Sequence, residues 1–180
     1  MQPRILLHVC CGVCAIYPIA WLQEQGFEVT ALFYNPNIHP LQEYLRRAEG
    51  MEAVAAKAGI RMIRKDSEYD PKGYLRQVVF REEQRCFLCY QLRLERTANI
   101  ALKGGFDFFS STLLFSKRQN HEMIKSTGVS LGAGKCPFYY HDFRVGWESG
   151  HNQAREMGIY RQNYCGCIYS EFERFQKKLS

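Results

Sequence analysis

Eight cysteines occur among the 180 residues, and seven of them fall in three groups: Cys10, Cys11 and Cys14; Cys86 and Cys89; Cys165 and Cys167. Clustered thiolates bind soft metals or exchange electrons. Only Cys136 stands alone, before Pro137, and reads as structural. A disulfide between the adjacent Cys10 and Cys11 would be strained. Consecutive Cα atoms lie about 3.8 Å apart, whereas disulfides span about 4.4–6.8 Å. In an extended strand the two side chains would also point to opposite faces. They converge on one centre only where the strand has ended, and Gly12 supplies the turn. The competing reading is a pair of small buried hydrophobes.

Cys86-Phe87-Leu88-Cys89 places two sulfurs on one side of a helical turn, at an expected helix start. A helix N-terminus favours negative charge, which stabilises thiolates or an anionic cluster. Together with Cys10 and Cys11 the pair makes four soft ligands, enough for a cubane iron–sulfur cluster or a zinc ion. Cys165-Gly166-Cys167 differs. Its Cα atoms are about 6.6–7.2 Å apart if extended, and a bend at Gly166 brings them within disulfide range. Such a pair can cycle between dithiol and disulfide. Cys14 reads equally as a further ligand or a buried side chain. His8, inside an expected strand, reads as a satisfied core histidine. Ser111 and Thr112, after another strand, could hold a phosphate, orient a substrate or cap a helix.

These residues need a scaffold. An apolar run at 4–9 reads as a buried strand, a helix follows at 14–25, and a second strand spans 27–33. A helix at 40–58 keeps Leu41, Tyr44, Leu45, Ala48, Met51 and Ala55 on one face, and a short strand occupies 60–64. Further helices are expected at 70–84, 86–103, 118–127, 148–157 and 170–179, with a fourth strand at 106–110 and an irregular segment at 132–146. Strand–helix alternation implies a single α/β domain over 1–180, a three-layer sandwich with a parallel sheet. In such sheets ligands sit beyond the carboxyl ends of the strands, where Cys10 and Cys11 fall.

One domain is the expectation for this length, at roughly 100–200 residues per domain. A chain of this size buries enough core to fold without disulfide staples. No stretch resembles a secretory signal or a membrane span. A cytoplasmic protein with reduced thiols is therefore expected, where clustered cysteines mean metal or redox chemistry. The net charge is 24 − 18 = +6. Local basic groups include Arg46-Arg47, Arg61 with Arg64-Lys65, Arg93 with Arg96, Lys117-Arg118 and Lys177-Lys178. They read either as attraction to a polyanion such as RNA or as solvated helix faces.

In this order the residues resemble the QueH family of epoxyqueuosine reductases. The likeness runs through Leu7-His8-Val9-Cys10-Cys11 with Cys14, and Tyr34-Asn35-Pro36-Asn37-Ile38-His39-Pro40 with Glu43, Tyr44 and Arg46. It continues in Arg85-Cys86 with Cys89-Tyr90 and Arg93-Leu94, in Ser111-Thr112-Leu113-Leu114 with Ser116, and in the block from Tyr160 to Cys167 with Tyr169-Ser170. Val13 departs from it, standing where the family more often has proline. The resemblance implies a tRNA-modifying oxidoreductase that removes the epoxide oxygen of epoxyqueuosine in the anticodon loop without cobalamin. It implies a HUP/PP-loop-like, Rossmann-like fold, a [4Fe–4S] cluster on Cys10, Cys11, Cys86 and Cys89, and a redox-active disulfide at Cys165–Cys167. An external electron donor is implied as well.

A second iron held by Cys11 or Cys14 is an additional expectation, as is substrate contact by Ser111, Thr112, Tyr34 and Asn35. The proton donor stays open among His8, a tyrosine and a carboxylate such as Asp107. Two other readings remain. An ATP-using tRNA thiolase would need a phosphate loop that Cys10-Cys11-Gly12-Val13-Cys14 does not supply. A non-catalytic zinc module binding RNA would carry zinc without iron or sulfide.

Overall fold

β1 (Arg4–His8) is the centre from which the rest is laid out. Its Ile5, Leu6 and Leu7 are wholly buried, as expected for a parallel strand covered on both faces. In the computed structural model, which describes residues 2–134 and 136–179, it pairs in parallel with β2 (Glu28–Phe33) on one side and β4 (Phe108–Ser111) on the other. β3 (Arg61–Arg64) adds to β2, giving the order β3-β2-β1-β4.

The connections follow from this order. α1 (Gly12–Glu24) links β1 to β2, and α2 (Leu41–Ala58) links β2 to β3, both moving the same way across the sheet. The chain then passes through α3 (Pro71–Val78) and α4 (Arg85–Lys103) and returns past β1 to β4. Right-handed crossovers place α1 and α2 on one face and α4 on the other. α1 packs on α2 and on α6 (Trp147–Glu156), and α4 packs on α5 (His121–Leu131). α7 (Ile168–Phe175) follows the last cysteines. This is the three-layer, Rossmann-like α/β architecture expected from the sequence. The reversal of direction between β2 and β4 makes the carboxyl end of β1 a topological switch point, where a crevice opens.

Gly12 is required where α1 starts, because a Cβ there would lie 2.5 Å from the Gly50 carbonyl oxygen in α2. Boundaries differ from expectation by one or two residues at several elements, and α5 runs on to Leu131 while α7 ends at Phe175. The helix expected over 70–84 stops at Val78, because Phe80 takes a left-handed φ of 63°, and a short 3-10 turn at Glu82–Gln84 precedes α4. α5 starts at His121 rather than 118, because the Asn120 side chain caps it by accepting the Met123 N–H at 3.0 Å. The irregular segment before α6 is not all coil, since Phe138 forms a parallel bridge to Phe109 beside β4. Among the described residues no helix is long and apolar enough to cross a membrane.

Candidate metal centre

The first three cysteines meet where β1 hands over to α1. Cys11 is the N-cap of α1 in extended conformation, and its sulfur accepts the Cys14 N–H at 3.4 Å. The Cys10 sulfur lies 3.9 Å from that of Cys11, and the ligand atoms of Cys10, Cys11 and Cys14 all fall within 4.8 Å of one another. One turn of helix thus achieves what the strand could not, turning the adjacent side chains toward one point. The three thiols do not share one acidity. Hydrogen bonds from Cys11 and then Cys14 hold Cys10 well below the usual thiol range. Burial pushes Cys11 up, and the hydrogen bond with Cys10 pushes Cys14 up. Negative charge in this group is thus favoured on Cys10, beside the N-terminus of a helix.

The switch point ties this group to β4. The Cys10 N–H donates to Thr112 Oγ1 at 3.3 Å, and the Thr112 hydroxyl lies 3.6 Å from the Cys10 sulfur. Gln162 reaches in from the C-terminal segment, its Nε2 donating to the Cys11 sulfur at 2.9 Å. Beneath them His8 is fully buried. Its Nε2 faces two acceptors, the Tyr34 carbonyl and Asn35 Oδ1, both at 3.2 Å. Nε2 therefore carries the proton, and Nδ1 accepts from the Ser111 hydroxyl at 2.9 Å. Burial holds this imidazole down at about 4, so it stays neutral. Ser111 and Asn35 commit their polar atoms to His8, and Asn35 also donates to the Val9 carbonyl at 2.9 Å. Of the four residues expected to contact substrate, Thr112 is the one whose side chain lines the cleft over Cys10.

Cys86 and Cys89 lie on the first turn of α4, Cys86 exposed and Cys89 buried. Burial pushes Cys89 up to about 12. Its sulfur is the acceptor for Arg93 Nη2 at 2.8 Å, one turn along the helix. Cys167 packs in the same small apolar cluster as Cys89, with Tyr74 and Val78. Cys165 is exposed, and its sulfur accepts from Gln119 Nε2 at 3.0 Å, while Gln119 Oε1 accepts from the Tyr90 hydroxyl at 2.6 Å.

Two clefts result. One of about 280 Å³ lies over Cys10 and Cys14, and one of about 470 Å³ is walled by Cys86, Cys89 and Cys167. Cys165, Gln119 and Tyr164 belong to both, so the two adjoin. Two buried polar atoms on the second wall, the Tyr74 hydroxyl and Asn37 Oδ1, have no hydrogen-bond partner among the described residues.

The segment carrying Cys165 is clasped from α2. Arg47, 1% exposed, pairs with Glu43 at 2.7 Å and donates to the carbonyls of Cys165 at 2.7 Å and Tyr164 at 3.0 Å. Glu43 also accepts from the Tyr160 hydroxyl at 2.5 Å. Gly166 turns the chain at φ +152°, where a Cβ would press on Ile38 and Arg47.

The donor set fits a thiophilic metal. Two thiolates on one tetrahedral ion at about 2.3 Å each would be about 3.8 Å apart, close to the 3.9 Å between Cys10 and Cys11. All eight cysteines are free thiols. The tight group is Cys10, Cys11 and Cys14, however, and does not include Cys86 and Cys89, which the sequence joined to Cys10 and Cys11. Helical spacing brings Cys14 to the group, three residues from Cys11, and Arg93, which donates to the Cys89 sulfur, also feels Cys10. Asp107 is not at the site. It precedes β4 at the amino end of the sheet and accepts the Arg4 N–H at 2.7 Å. Several expected basic groups are already paired with carboxylates: Arg47 with Glu43, Arg64 with Glu52 and Asp66, and Arg96 with Glu68. Gln119 escaped sequence reasoning, because a lone glutamine in a turn carries no signal. The Glu43–Arg47 clasp had one, a Glu/Arg spacing of four on a helix.

The family model described as epoxyqueuosine reductase QueH matches residues 5–173. A protein of Dehalococcoides mccartyi named epoxyqueuosine reductase QueH is 38% identical, the match covering 98% of this chain and 97% of that one. Proteins of the same name from Thermotoga maritima and Streptococcus pyogenes are 37% and 36% identical, covering 96% and 94% of this chain and 93% and 71% of theirs. Among solved structures, a predicted tRNA methyltransferase subunit from Methanocaldococcus jannaschii superposes with a TM-score of 0.53 over 84% of this chain and 76% of that one, at 13% identity, a likeness of fold alone. A match along nearly the whole chain, with full-length relatives above 30% identity, places this sequence in the epoxyqueuosine reductase QueH family.

Proposed function

We propose that this protein reduces epoxyqueuosine to queuosine in the anticodon loop of tRNA. The observation that carries the reading is the sulfur group at the switch point of the sheet, beneath a cleft, in a chain whose full-length relatives are named for this reaction. The conversion takes an epoxide, two electrons and two protons to an alkene and water. A [4Fe–4S] cluster on Cys10, Cys11, Cys86 and Cys89, with a further iron at Cys14 as an additional site, would supply electrons singly and Lewis acidity at the oxygen.

The chain's own residues do the rest. Thr112 fixes the Cys10 backbone at the cleft floor, and Gln162 holds the Cys11 sulfur from above. Cys165 and Cys167 form the dithiol store: closing their disulfide releases two electrons and two protons, the number the reaction consumes. An external reductant of the dithiol class would reopen it. Cys165 stands on the wall of both clefts, which suits a relay. The proton donor belongs to the cleft wall, since His8 is neutral and enclosed and Asp107 lies at the other end of the sheet.

The test is anaerobic reconstitution with iron and sulfide, followed by incubation with epoxyqueuosine-containing tRNA and a reductant. Nucleoside mass spectrometry should show loss of one oxygen. Cys86→Ala should lose both the cluster absorption and the conversion. Full iron and turnover in Cys86→Ala would remove it from the ligand set. Zinc alone in the native protein, or ATP-dependent sulfur insertion, would overturn the reductase reading.

A further inference from the structure

Six cations among the described residues are paired with carboxylates. Arg47, Arg64, Lys65, Arg85, Arg96 and Arg144 all have Asp or Glu within ion-pair distance. The rim of the cleft over Cys10 is different. Lys117, Arg118 and Arg174 line it, all three are exposed, and none has a carboxylate partner among the described residues. Among the described residues no Asp or Glu lines that cleft. Lys117 Nζ instead sits 4.3 Å over the ring of Trp147, and Trp147 lies against His151 with ring centroids 4.1 Å apart. Burial, and then the charges of Arg161, Arg155 and Lys117, hold the His151 imidazole below its ordinary value. The mouth of the site is thus a concentrated positive field with aromatic flanks, set on the loop after β4 and on α7.

We infer that Lys117, Arg118 and Arg174 form a phosphate-binding rim that seats the RNA backbone on either side of the nucleoside entering the cleft. This rests on the reading of the chain as a tRNA-modifying reductase and adds the contact residues to it. The chemistry is complementary in kind. A polyanion releases counterions when its phosphates meet unpaired cations, whereas cations already paired with carboxylates gain little. Phosphate contacts fix register without reading sequence. That suits an enzyme whose target is marked by its own modified base. Arg118 and Arg174 border both clefts, so a backbone held there passes over Cys165.

The test uses fluorescence anisotropy with an unmodified anticodon stem-loop RNA over a range of salt concentrations. The triple variant Lys117→Gln, Arg118→Gln, Arg174→Gln is compared with a control of equal charge change, Lys57→Gln, Arg61→Gln, Lys103→Gln. The control residues are exposed at the end of α2, the start of β3 and the end of α4, on the opposite edge of the sheet. Each phosphate contact contributes about 0.7–0.9 to the slope of log affinity against log salt, so the rim variant should lose about 2 from that slope. The control should keep the wild-type slope. Iron content and thermal midpoint of both variants should match the wild type, which separates the rim from folding and from the metal centre. An unchanged slope in the rim variant, an equal loss in the control, or no RNA binding by the wild type would overturn the assignment. Rim-dependent RNA binding by a wild type that leaves epoxyqueuosine tRNA unchanged would keep the rim and remove the reductase reading.

Discussion

Arg93 donates to the Cys89 sulfur at 2.8 Å, and this 2%-exposed guanidinium has no carboxylate partner among the described residues. Burial works against its charge, while Cys89, Cys165 and Cys10 hold it protonated beyond its ordinary range. Burial keeps Cys89 toward the neutral thiol, so its sulfur is a hydrogen-bond acceptor for the guanidinium, while Cys10, held toward the thiolate, is the sulfur that offers it a counter-charge. Arg93 is therefore a fixed positive charge that acts on both cysteine groups.

It follows that Arg93→Met, of similar length and without charge, should bind iron about 10–100-fold more weakly, the usual cost of removing a partner behind the ligands. Competition with a chelator in the anaerobic apoprotein measures this directly. Arg93→Lys should recover part of the loss, because it restores charge but not the fork that also reaches the Cys89 carbonyl at 3.1 Å. Equal iron affinity in wild type and Arg93→Met would show that the guanidinium only fills space.

The Glu43–Arg47 clasp makes a separate prediction about stability. Both side chains are almost fully buried, at 5% and 1% exposure, and Arg47 holds two carbonyls of the segment bearing Cys165. Removing one partner of a buried pair costs about 3–5 kcal/mol. In a domain of this size that lowers the thermal midpoint by roughly 6–20 °C. Arg47→Met and Glu43→Gln should each show such a drop. The double variant should cost less than their sum, because neither charge is then left alone. Additive losses would mean that the two residues act independently.

Cys165→Ser and Cys167→Ser should leave iron and sulfide content unchanged and lower turnover. Either single variant should be about as impaired as the double, since a disulfide needs both sulfurs. Iron quantitation beside steady-state rates decides this. Loss of iron in either variant would make that cysteine a ligand.

The sheet and its helices were legible because their signals are local. The apolar run of β1, the periodicity of α2 and the glycine stops could each be read without knowing the fold. The carboxyl edge as the site followed from the alternation of strand and helix. The close grouping of Cys14 with Cys10 and Cys11 did not follow. Whether Cys14 or Cys86 joins Cys10 and Cys11 depends on where α4 sits relative to α1, which spacing along the chain does not encode. The roles of Ser111 and Asn35 were hidden for the same reason, because residues 103 and 27 positions from His8 meet it only across the sheet. The boundary errors at Val78 and Asn120 were backbone matters, one a left-handed residue and the other a cap.

Acid should destabilise this protein earlier than its carboxylates alone would. All five histidines, His8, His39, His121, His141 and His151, are held below their ordinary value of 6.5, in each case chiefly by burial. His39 has no hydrogen-bond partner on either ring nitrogen among the described residues, so nothing there welcomes its proton, and at His121 burial and Arg144 outweigh the pull of Asp142 at 4.0 Å. When a folded-state pKa lies below the unfolded value, the unfolded chain binds more protons as pH falls through the unfolded value, and stability drops. The stabilisation is fully present above about pH 6.5 and is lost progressively below it, toward about 4 for His8. Urea midpoints at pH 7.5, 6.5 and 5.5 should be similar for the first pair and clearly lower at the last. His121→Asn should flatten that fall, and midpoints constant down to pH 5 would show that the imidazoles are not enclosed as described.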